Sequence, residues 1–356
     1  MKYLLFLALL PLAACSSDER TVQDPDTAPG SMYFPPLTGN AWETQSVSQL
    51  QWNAGAIAPL RDYLQSKHTK SFMILVDGRI VMEEYFDGHS ATAPWYWASA
   101  GKTLTAAVTG IAQQQGHLSI HDAVSDYLGT GWTSATPSQE LQISIAHLLS
   151  MTSGLQDAGN NDCVTPECLT YAAPAGTRWA YDNVYVKLQD VVAQATGQNW
   201  DNYFNAQLRN KIGMTGAWVQ TGDLSVYWST TRSMARFGLL MLNNGRWDDA
   251  QIIDAAYCAE ATNRSQNINK SYGYLWWING EESFGLPQTQ LQFPGSIIAE
   301  APADMYMALG KNDQKIYVVP SRNMVVIRMG NAADQETVAL SDFDHVLWQK
   351  INALYH

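Results

Sequence analysis

Apolar residues in the first third of the chain follow first a helical and then a strand-like spacing. From Val47 to Gln65 they recur on one helix face, whereas Ser71 to Val76 and Ile80 to Tyr85 are β-like runs separated by an Asp-Gly pair. The stretch from Thr103 to Gln114 is rich in Ala, Leu, Val and Ile, and Gly116 follows it as a stop signal. The pattern predicts a helix, a β-hairpin and a buried helix.

The middle of the chain has a mostly helical pattern, and strand-like runs return near its end. The helical segments predicted there are Ile143 to Met151, Asp182 to Thr196, Trp200 to Ile212 and Ser233 to Asn243. They are followed by predicted strands at Met305 to Leu309, Lys315 to Val319 and Met324 to Met329, and by an amphipathic helix at Asp334 to Tyr355. We therefore predict an α+β fold, in which an antiparallel sheet flanked by helices (residues 41–115 and 300–356) contains a large, mostly helical insertion (residues 116–299).

The first residues have the features of a secretory signal peptide. One lysine precedes an apolar run from Leu4 to Leu12, which is too short to cross a bilayer permanently. The run ends in Leu-Ala-Ala-Cys, which is similar to a bacterial lipobox with Cys15 as the lipidated residue; the alternative is an ordinary secretory cleavage site. We predict a lipoprotein signal peptide at residues 1–14, a flexible tether at 15–40 and one folded domain at 41–356. Because Ser16 rather than Asp follows the cysteine, we expect a lipid anchor in the outer membrane of a bacterial cell envelope, facing the periplasm.

The charge balance and the remaining cysteines limit the partners of the chain. It has 21 Lys and Arg against 33 Asp and Glu, and loss of Lys2 with the signal peptide changes the formal charge from −12 to 20 − 33 = −13. Nucleic acid is not expected as a ligand, and the expected membrane contact is the lipid anchor alone. Cys163 and Cys168 bracket a short loop and are candidates for a disulfide in an oxidising compartment. Cys258 is then a lone thiol, which we expect to be buried.

Ser99-Ala100-Gly101-Lys102 carries the clearest chemical signal. Residues three apart lie on one face of a helix, so the Lys102 amine can reach the Ser99 hydroxyl. An alcohol needs a nearby base to become a nucleophile, and a lysine serves as that base when burial lowers its pKa. S-x-x-K is the spacing of penicillin-recognising enzymes, but it occurs by chance about once in a chain of this length. Whether this motif marks an active site therefore depends on the rest of the chain.

Several downstream segments supply that context. They are HLLSMTSGL at residues 147–155, WAYDN at 179–183, STTRSMARFG at 229–238 and YGYLWW at 272–277. With the Ser99 motif and in this order, they resemble the serine β-lactamase-related family of penicillin-binding-type hydrolases, over roughly residues 40 to 350. That family includes class C β-lactamases, D-alanyl-D-alanine peptidases, family VIII carboxylesterases and 6-aminohexanoate-dimer hydrolases. The Tyr272 to Trp277 run is closest to the esterase and amide-hydrolase branch.

The resemblance implies roles for individual residues. Ser99 would be the nucleophile and Lys102 its base, and Tyr181-Asp182-Asn183 matches the Y-x-N motif of the family. Tyr181 would then relay a proton to the leaving group, and Asn183 would bond Lys102 or the substrate. A second Y-x-N at Tyr203-Phe204-Asn205 lies in a helical pattern, where its aromatic residues are expected to pack.

The third motif of the family, K-T-G or H-x-G, is altered in this chain. Counting ten residues back from Pro320 leads to Gly310, so Ala308 stands where the family has Lys or His. This change removes the positive side chain that would bind a β-lactam carboxylate. The backbone N–H groups of Ser99 and Lys311 remain candidates for the oxyanion hole. The Lys311 side chain is either solvated or a contact for a substrate carboxylate.

These observations favour a serine hydrolase that cleaves a small ester, amide or peptide-like substrate and needs no metal or organic cofactor. Class C-like β-lactamase and D-alanyl-D-alanine carboxypeptidase activities are alternatives, as is a non-catalytic envelope sensor or peptidoglycan-binding module. His117 and His121 have a metal-like spacing, but Gly116 indicates a loop there and no acidic residue has matching spacing. The nucleophile elbow of α/β-hydrolases, G-x-S-x-G, is absent from the sequence.

Overall fold

The computed structural model describes residues 31–157, 162–334 and 340–355, and the described residues from Met32 onward form one compact unit. The predicted signal peptide, Cys15 and most of the tether lie outside the described residues. No helix in the described ranges is long and apolar enough to cross a membrane.

The described chain alternates between short strands and helices. The strands are β1 (Thr69–Val76), β2 (Arg79–Tyr85), β3 (Trp95–Tyr96), β4 (Ala217–Thr221), β5 (Leu224–Ser229), β6 (Arg246–Trp247), β7 (Ala250–Gln251), β8 (Trp277–Ile278), β9 (Ser283–Gly285), β10 (Gln292–Pro294), β11 (Tyr306–Gly310), β12 (Gln314–Val319) and β13 (Met324–Gly330). The α-helices are α1 (Ile57–Ser66), α2 (Lys102–Gln114), α3 (Ser125–Leu128), α4 (Pro137–Glu140), α5 (Ile145–Leu149), α6 (Lys187–Thr196), α7 (Trp200–Phe204), α8 (Thr231–Leu242), α9 (Ala255–Ala261) and α10 (Phe343–Asn352).

The central sheet has six strands in the order β2-β1-β13-β12-β11-β8, and every neighbouring pair is antiparallel. Because side chains alternate along a strand, Ile316 and Tyr317 point to opposite faces. Ile316 and Val325 face α8, where a Cβ added at Gly238 would lie 2.6 Å from Val325 Cγ1. Tyr317 meets Trp348 of α10 on the other face, at 5.5 Å between ring centroids. Helices therefore cover both faces, and the predicted α+β fold is confirmed.

The inserted region has more strand structure than the pattern predicts. Its strands β4 and β5 form a second antiparallel sheet together with β3, which precedes the inserted region in the chain. Strand β8 joins the central sheet by pairing Trp277 with Met307 and Ile278 with Tyr306. The helical insertion assigned to residues 116–299 therefore includes residues of the α/β part. A strand of two residues is too short to produce a period of its own, which explains why the pattern did not reveal β8.

Residues 32–40, which the sequence assigns to the tether, belong to the compact unit. The Tyr33 N–H donates to Asp77 O at 2.9 Å. The buried guanidinium of Arg236 donates to the carbonyls of Pro35 and Pro36, at 3.4 and 2.7 Å. Prolines lack an N–H, but their carbonyls still accept hydrogen bonds. Residues 32–40 are therefore part of the folded unit.

Candidate active site

Ser99 lies where the second sheet meets helix α2. Trp97 is fully buried at the end of β3, with its N–H bonded to Tyr227 O at 2.9 Å and its Nε1 donating to Ser229 Oγ at 2.8 Å. The next residue, Ala98, has a left-handed backbone with φ +47°, a conformation that costs free energy in a residue other than glycine. A 3-10 turn, Ala98–Gly101, then continues directly into α2. This turn holds Ser99 at the start of a buried helix, as the motif predicts.

The Lys102 side chain is buried, with 1% of its surface exposed. Its Nζ donates to Asn183 Oδ1 at 2.6 Å and lies 4.0 Å from the ring centroid of Tyr185 and 5.3 Å from that of Tyr181. Asn183 was expected to bond either Lys102 or the substrate, and in this structure it bonds Lys102. A neutral amide and two aromatic rings thus surround the amine.

Among the described residues, no carboxylate lies within ion-pair distance of Lys102 Nζ. Burial lowers the pKa of Lys102 from 10.5 to about 7, although the negative charges of Asp182 and Asp162 counter part of this shift. Burial disfavours the charged form of a lysine whenever no matched anion compensates for lost water. At neutral pH a large fraction of Lys102 is therefore unprotonated and able to accept a proton.

Tyr181 connects the serine to the aromatic residues behind it. The side chains of Ser99 and Trp277 are close enough to its hydroxyl to lower its pKa, and its ring centroid lies 5.4 Å from that of Trp277 and 6.1 Å from those of Trp179 and Tyr272. Burial raises the pKa of Tyr181 to about 12, because it outweighs the lowering effect of Ser99 and Trp277. The phenol is therefore protonated at neutral pH and suits a proton relay better than a base.

Gly310 ends β11 directly against the Ser99 turn. A Cβ added at this glycine would lie 2.5 Å from Trp97 O and 3.0 Å from Ala100 N, so only glycine permits this approach. Lys311 follows with an exposed side chain, while Ala308 is buried and pairs with Ile316. The structure thus brings the backbone after Gly310 beside Ser99 and provides no cation at residue 308.

Other residues considered from the sequence lie in structural positions. His147 Nδ1 accepts the Ser144 N–H at 3.1 Å, and the Ser144 hydroxyl accepts the His147 N–H in return, which forms a capping box at the start of α5. Tyr203 is fully buried and donates to Gln115 Oε1, in agreement with a packing role. Cys163 and Cys168 are joined by a disulfide, and Cys258 is a buried free thiol.

Comparison with known protein families gives an independent assignment. The family model described as Beta-lactamase matches residues 60–347 of this chain. The chain belongs to the beta-lactamase family. This result agrees with the resemblance inferred from the sequence motifs. No curated protein sequence matches the chain.

Several solved structures share the fold of this chain. A protein from Bacteroides dorei DSM 17855, provisionally named a beta-lactamase, has a TM-score of 0.67 and 16% identity, covering 85% of this chain and 99% of that one. A Bacillus anthracis protein, provisionally named a 6-aminohexanoate-dimer hydrolase, has a TM-score of 0.66 and 17% identity, covering 90% and 88%. A mutant class C beta-lactamase has a TM-score of 0.62 and 17% identity, covering 84% and 96%. At such low identity the likeness establishes the fold alone.

For a beta-lactamase-family site, motif reasoning missed the residues that surround the motif side chains. The Tyr185 ring lies 4.0 Å from the Lys102 amine, the Trp277 ring packs beside that of Tyr181, and the buried carboxylate of Asp182 acts electrostatically on Lys102. Asp182 and Tyr185 adjoin the Y-x-N motif in sequence, and Trp277 ends the YGYLWW segment. These positions were visible as neighbours of motifs, but their contacts depend on the fold.

Proposed function

We propose that this protein hydrolyses a small ester or amide through an acyl intermediate on Ser99. The observation that carries the proposal is the Lys102 amine, which is buried against Asn183 and two tyrosine rings without an ion-pair partner among the described residues. A buried lysine of this kind is able to accept the proton of an adjacent serine. Membership of the beta-lactamase family supports an acyl-serine mechanism in general.

The proposed cycle assigns one step to each group. Lys102 Nζ accepts the Ser99 proton while Ser99 Oγ forms a bond with the substrate carbonyl carbon. The N–H groups of Ser99 and Lys311 stabilise the resulting oxyanion. The tetrahedral intermediate then collapses, the bond to the leaving group breaks, and Tyr181 passes the proton from Lys102 to that group. Water then attacks the carbonyl carbon of acyl-Ser99 and gives a proton to Lys102. The bond to Ser99 Oγ breaks, the proton returns to that oxygen, and the carboxylic acid product leaves.

The preference for an ester or amide over a β-lactam comes from Ala308. A lactam or a peptide ending in a carboxylate needs a cation to bind it, and residue 308 provides none. The alternative activities, class C-like β-lactamase and D-alanyl-D-alanine carboxypeptidase, would depend on Lys311, whose side chain is exposed. A purely binding module would not require Ser99, Lys102 and Tyr181 together.

A substrate panel tests this assignment. We expect purified protein to hydrolyse p-nitrophenyl acetate or butyrate at a rate that Ser99→Ala removes and the exposed-serine control Ser90→Ala retains. The chromogenic lactam nitrocefin and a D-alanyl-D-alanine peptide should be much poorer substrates. Faster turnover of either one than of every ester and small amide would favour the alternative activities. No Ser99-dependent turnover of any compound would favour the binding module.

We also propose that the domain is anchored in the bacterial cell envelope through Cys15, with the outer membrane as the expected location. The support is the lipobox-like Leu-Ala-Ala-Cys sequence after a short apolar run. Cells expressing the protein should incorporate labelled palmitate into it, and Cys15→Ala should abolish the label. Equal labelling of both proteins would exclude Cys15 as the anchor.

A further inference from the structure

Asp182 lies between the two residues of the Y-x-N motif that contact the Ser99–Lys102 pair. Only 7% of its surface is exposed, and its Oδ1 accepts the Val184 N–H at 2.7 Å. This bond stabilises the beginning of the 3-10 turn Val184–Val186, which contains Tyr185. One carboxylate therefore fixes the chain that presents Asn183 and Tyr185 to the lysine.

We infer that Asp182 is a positioning residue, which orients Asn183 and Tyr185 toward Lys102 and whose negative charge sets the pH range in which Lys102 accepts a proton. This inference rests on the proposed function, because it assigns Lys102 as the base. It extends that function by naming the group that controls the base. The middle position of a Y-x-N motif has no required residue, so the motif itself does not predict this role.

Within the described ranges, the charged groups that act on this pair come from neighbouring segments of the chain. The carboxylate of Asp182 acts electrostatically on Lys102, and Asp162 is a second anion that does so. On the other side of Asp182 lies Asp157, whose carboxylate is paired with Arg178. Burial raises the pKa of Asp182 to about 6, while the Val184 N–H and the positive charge of Lys102 oppose the increase. Lys102, with a pKa of about 7, and Asp182 thus titrate in adjacent pH ranges and influence each other.

The sign of this coupling follows from charge. An ionised Asp182 stabilises protonated Lys102 and raises its pKa, so the Ser99 base becomes available at a higher pH than burial alone would give. If the charge of Asp182 is removed, the pKa of Lys102 falls further. A residue that only stabilises the turn would change the rate at every pH and would leave the pH range unaltered.

The experiment compares Asp182→Asn with the wild-type protein. Asn keeps an Oδ1 acceptor for the Val184 N–H and removes the charge, and Asp190→Asn removes an exposed carboxylate of α6 as the matched control. The measurement is kcat/KM for p-nitrophenyl butyrate against pH. In Asp182→Asn the acidic limb should move to lower pH by about one unit, whereas Asp190→Asn should leave it in place. An unshifted limb in folded Asp182→Asn would overturn the inference.

A second measurement does not depend on the folding of that variant. The 13C resonance of the Asp182 carboxyl should titrate at a higher pH in Lys102→Met than in the wild-type protein, because the stabilising positive charge is gone. Equal midpoints would contradict the coupling. These outcomes are distinct from failure of the proposed function, which would appear as wild-type protein without Ser99-dependent turnover.

Discussion

Lys102 and Lys315 are both buried, but their surroundings are opposite. Lys102, 1% exposed, donates to the neutral amide of Asn183. Lys315, with no exposed surface, forms ion pairs with Asp344 at 2.8 Å and with Asp313 at 3.3 Å. A buried charge is costly unless an opposite charge compensates for lost hydration. The comparison indicates that Lys315 serves as a structural cation, whereas the surroundings of Lys102 lower its pKa and favour loss of its proton.

The groups around Lys315 form a network behind the β11–β12 hairpin. Tyr317 donates a hydrogen bond to Asp344, and the Ser341 hydroxyl donates to Asp313 at 2.8 Å. Arg328 is fully buried and donates to the carbonyls of Asn312 and Asp313 at 2.9 and 3.0 Å. The network therefore fixes the turn that follows Gly310, so the structural lysine supports the site in which the other lysine acts.

The largest expected effect is the loss of activity when Ser99 or Lys102 is replaced. Ser99→Ala and Lys102→Ala should each lower turnover by about a thousandfold or more, and the double variant should be little worse because the groups act as a unit. The check is kcat and kcat/KM for the three proteins with one ester substrate. Additive losses of turnover in the double variant would contradict the claim that Ser99 and Lys102 act as a unit.

The next effect separates the lysines by stability. Lys315→Met leaves two buried carboxylates without their cation and should lower the free energy of unfolding by about 3–5 kcal/mol. Lys102→Met also removes a positive charge that acts on Asp182, but it breaks no ion pair at contact distance and removes a desolvated amine, so the free energy of unfolding should fall by much less than in Lys315→Met. Urea unfolding of both variants, with the exposed-lysine control Lys211→Met, gives the comparison. Equal losses of unfolding free energy in Lys315→Met and Lys102→Met would contradict the distinction between a structural and a reactive lysine.

Gly310 tests how closely the structural hairpin must approach the serine. An added Cβ at this residue would collide with Trp97 O, so Gly310→Ala should displace the Ser99 turn or the following N–H donor. We expect kcat/KM to fall by about a hundredfold, since a displacement of about 1 Å has that effect in enzymes. Kinetics together with a melting curve will show whether activity falls in a protein that remains folded. Unchanged kinetics would place the oxyanion donor elsewhere.

The smallest effect is the pH dependence of the wild-type enzyme. Because Lys102 must be neutral to act as a base, kcat/KM should decrease by about tenfold per pH unit below pH 7 and level off above it. A profile that rises only near the ordinary lysine pKa would show that burial does not lower the pKa of Lys102. Lys315 takes part in no step of the proposed reaction. In any active Lys315 variant, kcat/KM should therefore decrease over the same acidic pH range as in the wild-type enzyme.

The main features of the fold could be predicted from hydrophobic periodicity. The hairpin β1–β2, the strands β11 to β13 and the helix after Ser99 each extend over enough residues to show a period. Strands of two residues, such as β3 and β8, could not be recognised in this way, although both position residues of the site. Residues 32–40 have no period, and their attachment depends on bonds from Arg236, which is distant in sequence.

The motif residues of the candidate site could be predicted from the sequence, but the side chains that surround them could not. Spacing and resemblance led to Ser99, Lys102, Tyr181, Asn183 and Gly310, and the structure brings these residues together. The environment that decides the protonation of Lys102 comes from Tyr185, Trp277 and Asp182, whose contacts arise from packing between segments. Sequence spacing encodes which groups are available, but burial and hydrogen bonding determine their chemistry.

Fluorophosphonate labelling is the most direct test of an activated Ser99. The purified protein is treated with the probe, and mass spectrometry locates the adduct in wild-type protein, Ser99→Ala and Ser90→Ala. We predict one adduct, on Ser99, which is lost in Ser99→Ala, kept in Ser90→Ala, and formed much more slowly in Lys102→Ala. No adduct on folded wild-type protein, or an adduct that survives in Ser99→Ala, would contradict the assignment of Ser99 as the nucleophile.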